Sequence, residues 1–103
     1  MYKRQTLPLS HELFDFAETI FDVLESRQVT LSKKGEDKGV RLSFEGFPYL
    51  IVWSKPEGDF VAVEPWGGLS TCSDEDDVLE HKRGCLVAKP KETIVRSFTI
   101  EIL

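Results

Sequence analysis

Apolar and polar positions alternate along much of the chain. In RQVTLSKK, Val29 and Leu31 fall on one face while Gln28, Thr30 and Ser32 fall on the other. A period of two marks a half-buried strand. KGEDKG follows as a polar, glycine-bounded turn. VRLSFEG then sets Val40, Leu42 and Phe44 against Arg41, Ser43 and Glu45, so the two segments predict a hairpin. After Gly46 and Pro48, YLIVW (Tyr49 to Trp53) is apolar at every position, which predicts a strand covered on both sides. KPEGD reads as a turn, and FVAVE as a second doubly apolar strand. Pro65 cannot donate to a ladder and is expected to end that strand. The β-branched stretch ETIVRSFTIEIL, Glu92 to Leu103, predicts a long final strand.

HELFDFAETIFDVLE is the one helical candidate: Leu13, Phe14, Ala17, Phe21 and Leu24 approximate helical spacing. Ser10 is a possible cap, but Leu13 stands where a capping box needs Glu or Gln, so one or two short turns are expected. STCSDEDDVLEHKRG reads as a long polar loop. Six or seven strands with little helix make an all-β chain, an antiparallel β-sandwich formed as a single domain over residues 1–103.

Composition narrows the function. Apolar residues make up 41% and charged residues 30%, the balance of a globular chain. Thirteen basic against eighteen acidic residues leave a net charge of −5, which disfavours nucleic acid and anionic lipid as partners. Lys33-Lys34 and Lys82-Arg83 are short and lie among acids. No apolar run approaches membrane-spanning length, and the N-terminus lacks a leader pattern, so the cytoplasm is the expected compartment. Cys72 and Cys85 are then free thiols; with His81 they lack zinc-ligand spacing, and SDEDD lacks the spacing and glycine of a calcium loop.

Glu64 is the residue that stands out. It closes the apolar run FVAVE, sharing a face with Phe60 and Ala62, and a carboxylate in such a setting costs several kcal/mol unless it is paired or hydrogen-bonded. Trp66 offers a flat apolar face with one N–H, suited to the C–H face of a sugar ring, and Gly67-Gly68 leaves room for close approach. The plain alternative is a solvated strand-end glutamate beside a core tryptophan.

LPLSHELF, IFDVLESRQVTL, GVRLSFEGFPYLIVWSKP and FVAVEPWGGLS, in this order and spacing, resemble the aldose 1-epimerase family, the galactose mutarotase-like group, and within it the LacX-like bacterial branch. The resemblance spans nearly the whole chain but only the last third or so of a family member. It implies part of a large antiparallel sandwich that binds a hexose in a cleft. It also implies interconversion of anomers: Glu64 takes the anomeric hydroxyl proton, a histidine protonates the ring oxygen, the C1–O5 bond breaks, and reclosure gives the other anomer. Trp66, Trp53, Phe47, Tyr49 and Gly67 are the implied sugar-binding residues, and no metal or organic cofactor is implied. The family's acid histidine lies before the matched region. His11 and His81 do not occupy its place and are expected at the surface. The catalytic set is therefore incomplete, and a non-catalytic carbohydrate-binding or structural remnant is the alternative. Edges and apolar faces left by the absent strands are expected to drive homo-oligomerisation.

Overall fold

The computed structural model describes residues 6–15 and 18–103. Ala17 and the N-terminal stretch inspected for a leader lie outside the described residues. The architecture is all-β: six strands form two antiparallel three-stranded sheets, with two 3₁₀ turns, His11–Phe14 and Leu79–His81. The strands are β1 (Thr19–Phe21), β2 (Gln28–Ser32), β3 (Gly39–Ser43), β4 (Tyr49–Trp53), β5 (Ala62–Trp66) and β6 (Thr99–Ile102). One sheet runs β1-β4-β5, the other β2-β3-β6.

The hairpin forms where alternation placed it, with Val29 opposite Leu42 and Leu31 opposite Val40. Gly35, at φ +80, turns the connecting loop in the left-handed region open to glycine. The chain changes sheets at residues 44–47, where the Phe47 N–H donates to the Phe44 carbonyl across a turn containing Gly46 at φ +85. Arg27 pins this crossing. Its guanidinium donates to the carbonyls of Phe47 and Leu24 and lies 5.0 Å from the centroid of the Phe44 ring.

The core lies where the sheets meet. Leu42 and Phe44 from one side join Leu50 and Val52 from the other, with Phe14 folded in from the first 3₁₀ turn. Leu50 and Phe44 are each 1% exposed. Phe21, Val29 and Val63 pack around them. β4 is the central strand of its sheet and is covered on both faces, as its unbroken apolar run predicts: Ile51, facing away from the core, is 0% exposed.

Three expectations need correction. Pro65 does not end a strand. It sits within β5 opposite Leu50, because β5 is an edge strand of its sheet and an edge tolerates a residue with no N–H. Phe60 consequently lies before β5 rather than within it. The final strand is short: only Thr99–Ile102 pairs with β3, and residues 92–98 run as irregular chain. The segment read for helical spacing holds one 3₁₀ turn and then strand β1, whose Ile20 pairs with Ile51.

The two sheets are unequally covered. In the second sheet the row Leu31–Val40–Ile102 shares the apolar face of Leu42 but is 36%, 37% and 78% exposed. The radius of gyration, 16.0 Å, exceeds the roughly 13 Å of a compact chain this long.

Candidate functional site

Strand register builds the site on the outer face of the first sheet. Glu64 stands opposite Ile51, Ala62 opposite Trp53, and Trp66 opposite Tyr49. Side chains two apart on a strand share a face, and diagonal neighbours across strands lie within reach of a large ring. Trp66 lies two residues along β5 on the same face as Glu64, and Trp53 reaches it diagonally from β4. The Trp53 indole N–H donates to Glu64 Oε1 at 2.5 Å, and the Trp66 indole N–H donates to Oε2 at 2.8 Å. Each carboxylate oxygen carries two lone pairs, so each retains one after accepting its indole proton. The carboxylate is half-buried and fixed at both oxygens, with acceptor capacity to spare.

The surroundings hold this geometry. The Phe60 ring meets Trp53 edge to face at 5.5 Å between centroids. Ser54, 8% exposed, donates to the Phe60 carbonyl at 2.6 Å and so fastens the connection that carries that ring. Ile51 forms the dry floor beside Glu64.

The other residues singled out from the sequence gather a few residues further along. Phe47 does not join the carboxylate cluster: Arg96 lies over its ring, 5.4 Å from the centroid, and Phe98 meets it edge to face at 6.5 Å. Tyr49 is buried at 7% exposure, with its ring against Gly84. Gly67 leaves room, and Arg96 takes it: a Cβ at Gly67 would fall 2.5 Å from Arg96 Nη1. Gly84, at φ +77, lies so close to the Tyr49 ring and the Gly67 carbonyl that a Cβ would meet them at 2.7 and 2.9 Å. Gly67, Gly68, Gly84 and Arg96 line a hollow of about 360 Å³ together with Lys82 and Arg83.

Arg96 was not legible as a site residue. Its one signal was a charge set among the apolar residues of IVRSF, a segment read as strand. The two histidines are engaged at the surface. His11 Nε2 lies 2.7 Å from the Gly58 carbonyl oxygen, and His81 Nδ1 lies 2.7 Å from Asp76 Oδ2. The hydrogen bond from His81, with a further one from the Val78 N–H, holds the Asp76 carboxyl below its ordinary range. Among the described residues, no group of three or more His, Cys, Asp or Glu side chains is placed to hold a metal ion, and no helix is long and apolar enough to cross a membrane.

Comparison with known proteins adds one relationship. No family model matches the chain, and no solved structure does. Two curated proteins of Lactococcus lactis subsp. lactis, "Protein LacX, plasmid" and "Protein LacX, chromosomal", are each 40% identical to it over 101 residues. The match takes in 97% of this chain and 34% of each relative, so the chain spans about a third of the length of the curated relatives it matches. The alignment with LacX thus runs over nearly the whole of this chain and over only part of each relative.

Proposed function

We propose that this chain is the base-bearing part of an aldose 1-epimerase-like protein acting on a hexose, with Glu64 as general base. The observation that carries the reading is the fixing of both Glu64 oxygens by the Trp53 and Trp66 indoles. A general base must be held within hydrogen-bond reach of the proton it removes, and a carboxylate clamped by two rigid donors, with lone pairs left over, meets that requirement. The name LacX, whose stem is that of lactose, is in keeping with a carbohydrate role.

In this reading the free lone pair of Glu64 accepts the proton of the anomeric hydroxyl as an acid elsewhere delivers one to the ring oxygen. The C1–O5 bond breaks, the aldehyde turns about C1–C2, and the reverse transfers close the other anomer. Trp53 and Trp66 position the base and offer their ring faces to the sugar; Tyr49, Phe47 and Gly67 shape the neighbouring wall. The test is polarimetry on freshly dissolved α-galactose and α-glucose. Interconversion above the spontaneous rate, abolished in Glu64→Gln, supports the reading; a rate equal to buffer alone overturns it.

A second reading is sugar binding without turnover. It is favoured by the engagement of His11 with Gly58 and of His81 with Asp76, which leaves no histidine of the described chain beside Glu64. Under either reading a second copy of the chain covers the open row Leu31–Val40–Ile102.

A further inference from the structure

We infer that Phe60 is a positioning residue for Glu64: its ring, seated on Gly58 by the β4–β5 loop, braces the Trp53 indole whose N–H donates to Glu64 Oε1. The kinetic consequence of that brace rests on the reading of Glu64 as general base; the brace itself does not.

The two donors of the clamp are held differently. Trp66 lies in β5 itself, two residues from Glu64, so one strand sets both. Trp53 closes β4 and reaches the carboxylate across strands. It stands directly opposite Ala62, whose methyl group is too small to back an indole; Glu64 lies two residues beyond Ala62 and Phe60 two residues before it. An indole at a strand end keeps its rotamer freedom unless something packs against it. Phe60 supplies that packing, edge to face, with ring centroids 5.5 Å apart and planes at 89°.

The loop is built to deliver this ring. The Gly58 N–H donates to the Lys55 carbonyl at 3.2 Å, and His11 Nε2 lies 2.7 Å from the Gly58 carbonyl oxygen, so the glycine is tied at both of its polar groups. The phenyl ring lies on its α-carbon: a Cβ at Gly58 would fall 2.6 Å from Phe60 Cε1 and 2.8 Å from Cδ1. The missing side chain at Gly58 is therefore the space the ring occupies. The buried Ser54 hydroxyl takes the Phe60 carbonyl, which anchors the residue by its backbone as well. Phe60 is nevertheless 46% exposed and stands outside the core cluster, so truncating it opens no core cavity and its loss falls on what it braces.

The test reads the two indole N–H groups separately, by heteronuclear NMR on tryptophan-labelled protein, with Trp53→Phe assigning the resonances. In Phe60→Ala, exchange of the Trp53 N–H with water is expected to quicken about three- to tenfold, the worth of one edge-to-face contact, while that of Trp66 is unchanged. Gly58→Ala, which displaces the ring, acts in the same direction and adds nothing on top of Phe60→Ala, because both work through one contact. Phe60→Tyr, which keeps the ring, keeps the slow exchange. Ile102→Ala, on the open row of the other sheet, moves neither indole. Where the chain turns over a hexose, Phe60→Ala lowers kcat by more than it raises KM, and Phe60→Tyr restores kcat. Circular dichroism melts check that each variant is folded; if Phe60→Ala is not, Phe60→Leu, which keeps apolar bulk and loses the ring edge, takes its place. Quickening at both indoles or at neither overturns the inference, and so does an unchanged kcat beside a quickened Trp53. A wild-type chain without turnover overturns the reading of Glu64 as base, and the two indoles alone then decide the brace.

Discussion

The two sheets are built from the same alternation yet end in different circumstances. In the first, β4 lies between β1 and β5 and both of its faces are covered, so even the outward Ile51 is dry. In the second, the row Val29–Leu42–Ile100 begins on the core, while the next row, Leu31–Val40–Ile102, is open. An apolar stripe in sequence shows which face seeks cover; whether cover is present depends on chain that lies elsewhere. The candidate site is on the covered sheet, where a dry floor and two large rings hold a carboxylate still.

The sharpest break in this comparison is a pair of truncations. Phe44→Ala, at the junction of the sheets, is expected to cost about 3–5 kcal/mol, while Ile102→Ala on the open row stays within about 0.5 kcal/mol in the monomer. Urea unfolding at matched concentration measures both. A cost for Ile102→Ala that grows with protein concentration indicates burial in an oligomer, and sedimentation velocity of Ile102→Lys then shows a shift to the monomer.

Next in size is the carboxylate clamp. Glu64→Gln keeps one acceptor oxygen and sets an amide N–H₂ against the other indole, leaving a part-buried donor without its partner. The expected cost is about 1–3 kcal/mol by denaturant melt, and Trp53→Phe, which removes the donor instead, costs a similar amount. If neither variant moves the midpoint, the clamp contributes nothing to stability and Glu64 is free to leave it.

How far the sequence reveals all this varies by element. The β2–β3 hairpin and β4 are legible because their alternation and apolar run are decided by neighbours the pattern itself implies. β1 is hidden because three residues, TIF, carry too short a period to outweigh the helical spacing around them. β5 extends past Pro65 because its edge position, a tertiary fact, relieves the proline of a ladder bond. In the site, Glu64, Trp53 and Trp66 are visible as types; Trp66 reaches Glu64 from two residues along one strand, but the Trp53 contact follows from the register of β4 on β5. Arg96 reaches Gly67 and Phe47 from a distant part of the chain, and no local pattern announces such a meeting.

The smallest expected effect lies in the loop that joins the sheets. Asp76 is held below its ordinary range by His81, so the folded state binds its proton less readily than the unfolded chain does. The stabilisation is therefore present above the unfolded value, near 3.8, and is lost as pH falls through the lower folded value. Asp76→Asn is expected to lower Tm slightly at about pH 5, with the difference narrowing at about pH 2. An equal difference at both pH values would show that another contact of Asp76, not its charge, is responsible.

The sequence holds two tryptophans, and both turn their indole nitrogens onto one carboxylate. The chain's tryptophan emission, excited selectively beyond the tyrosine absorption band, therefore originates entirely within a few ångströms of Glu64. Any event that displaces, protonates or shields that group will register in the spectrum without a label and without background from a third indole.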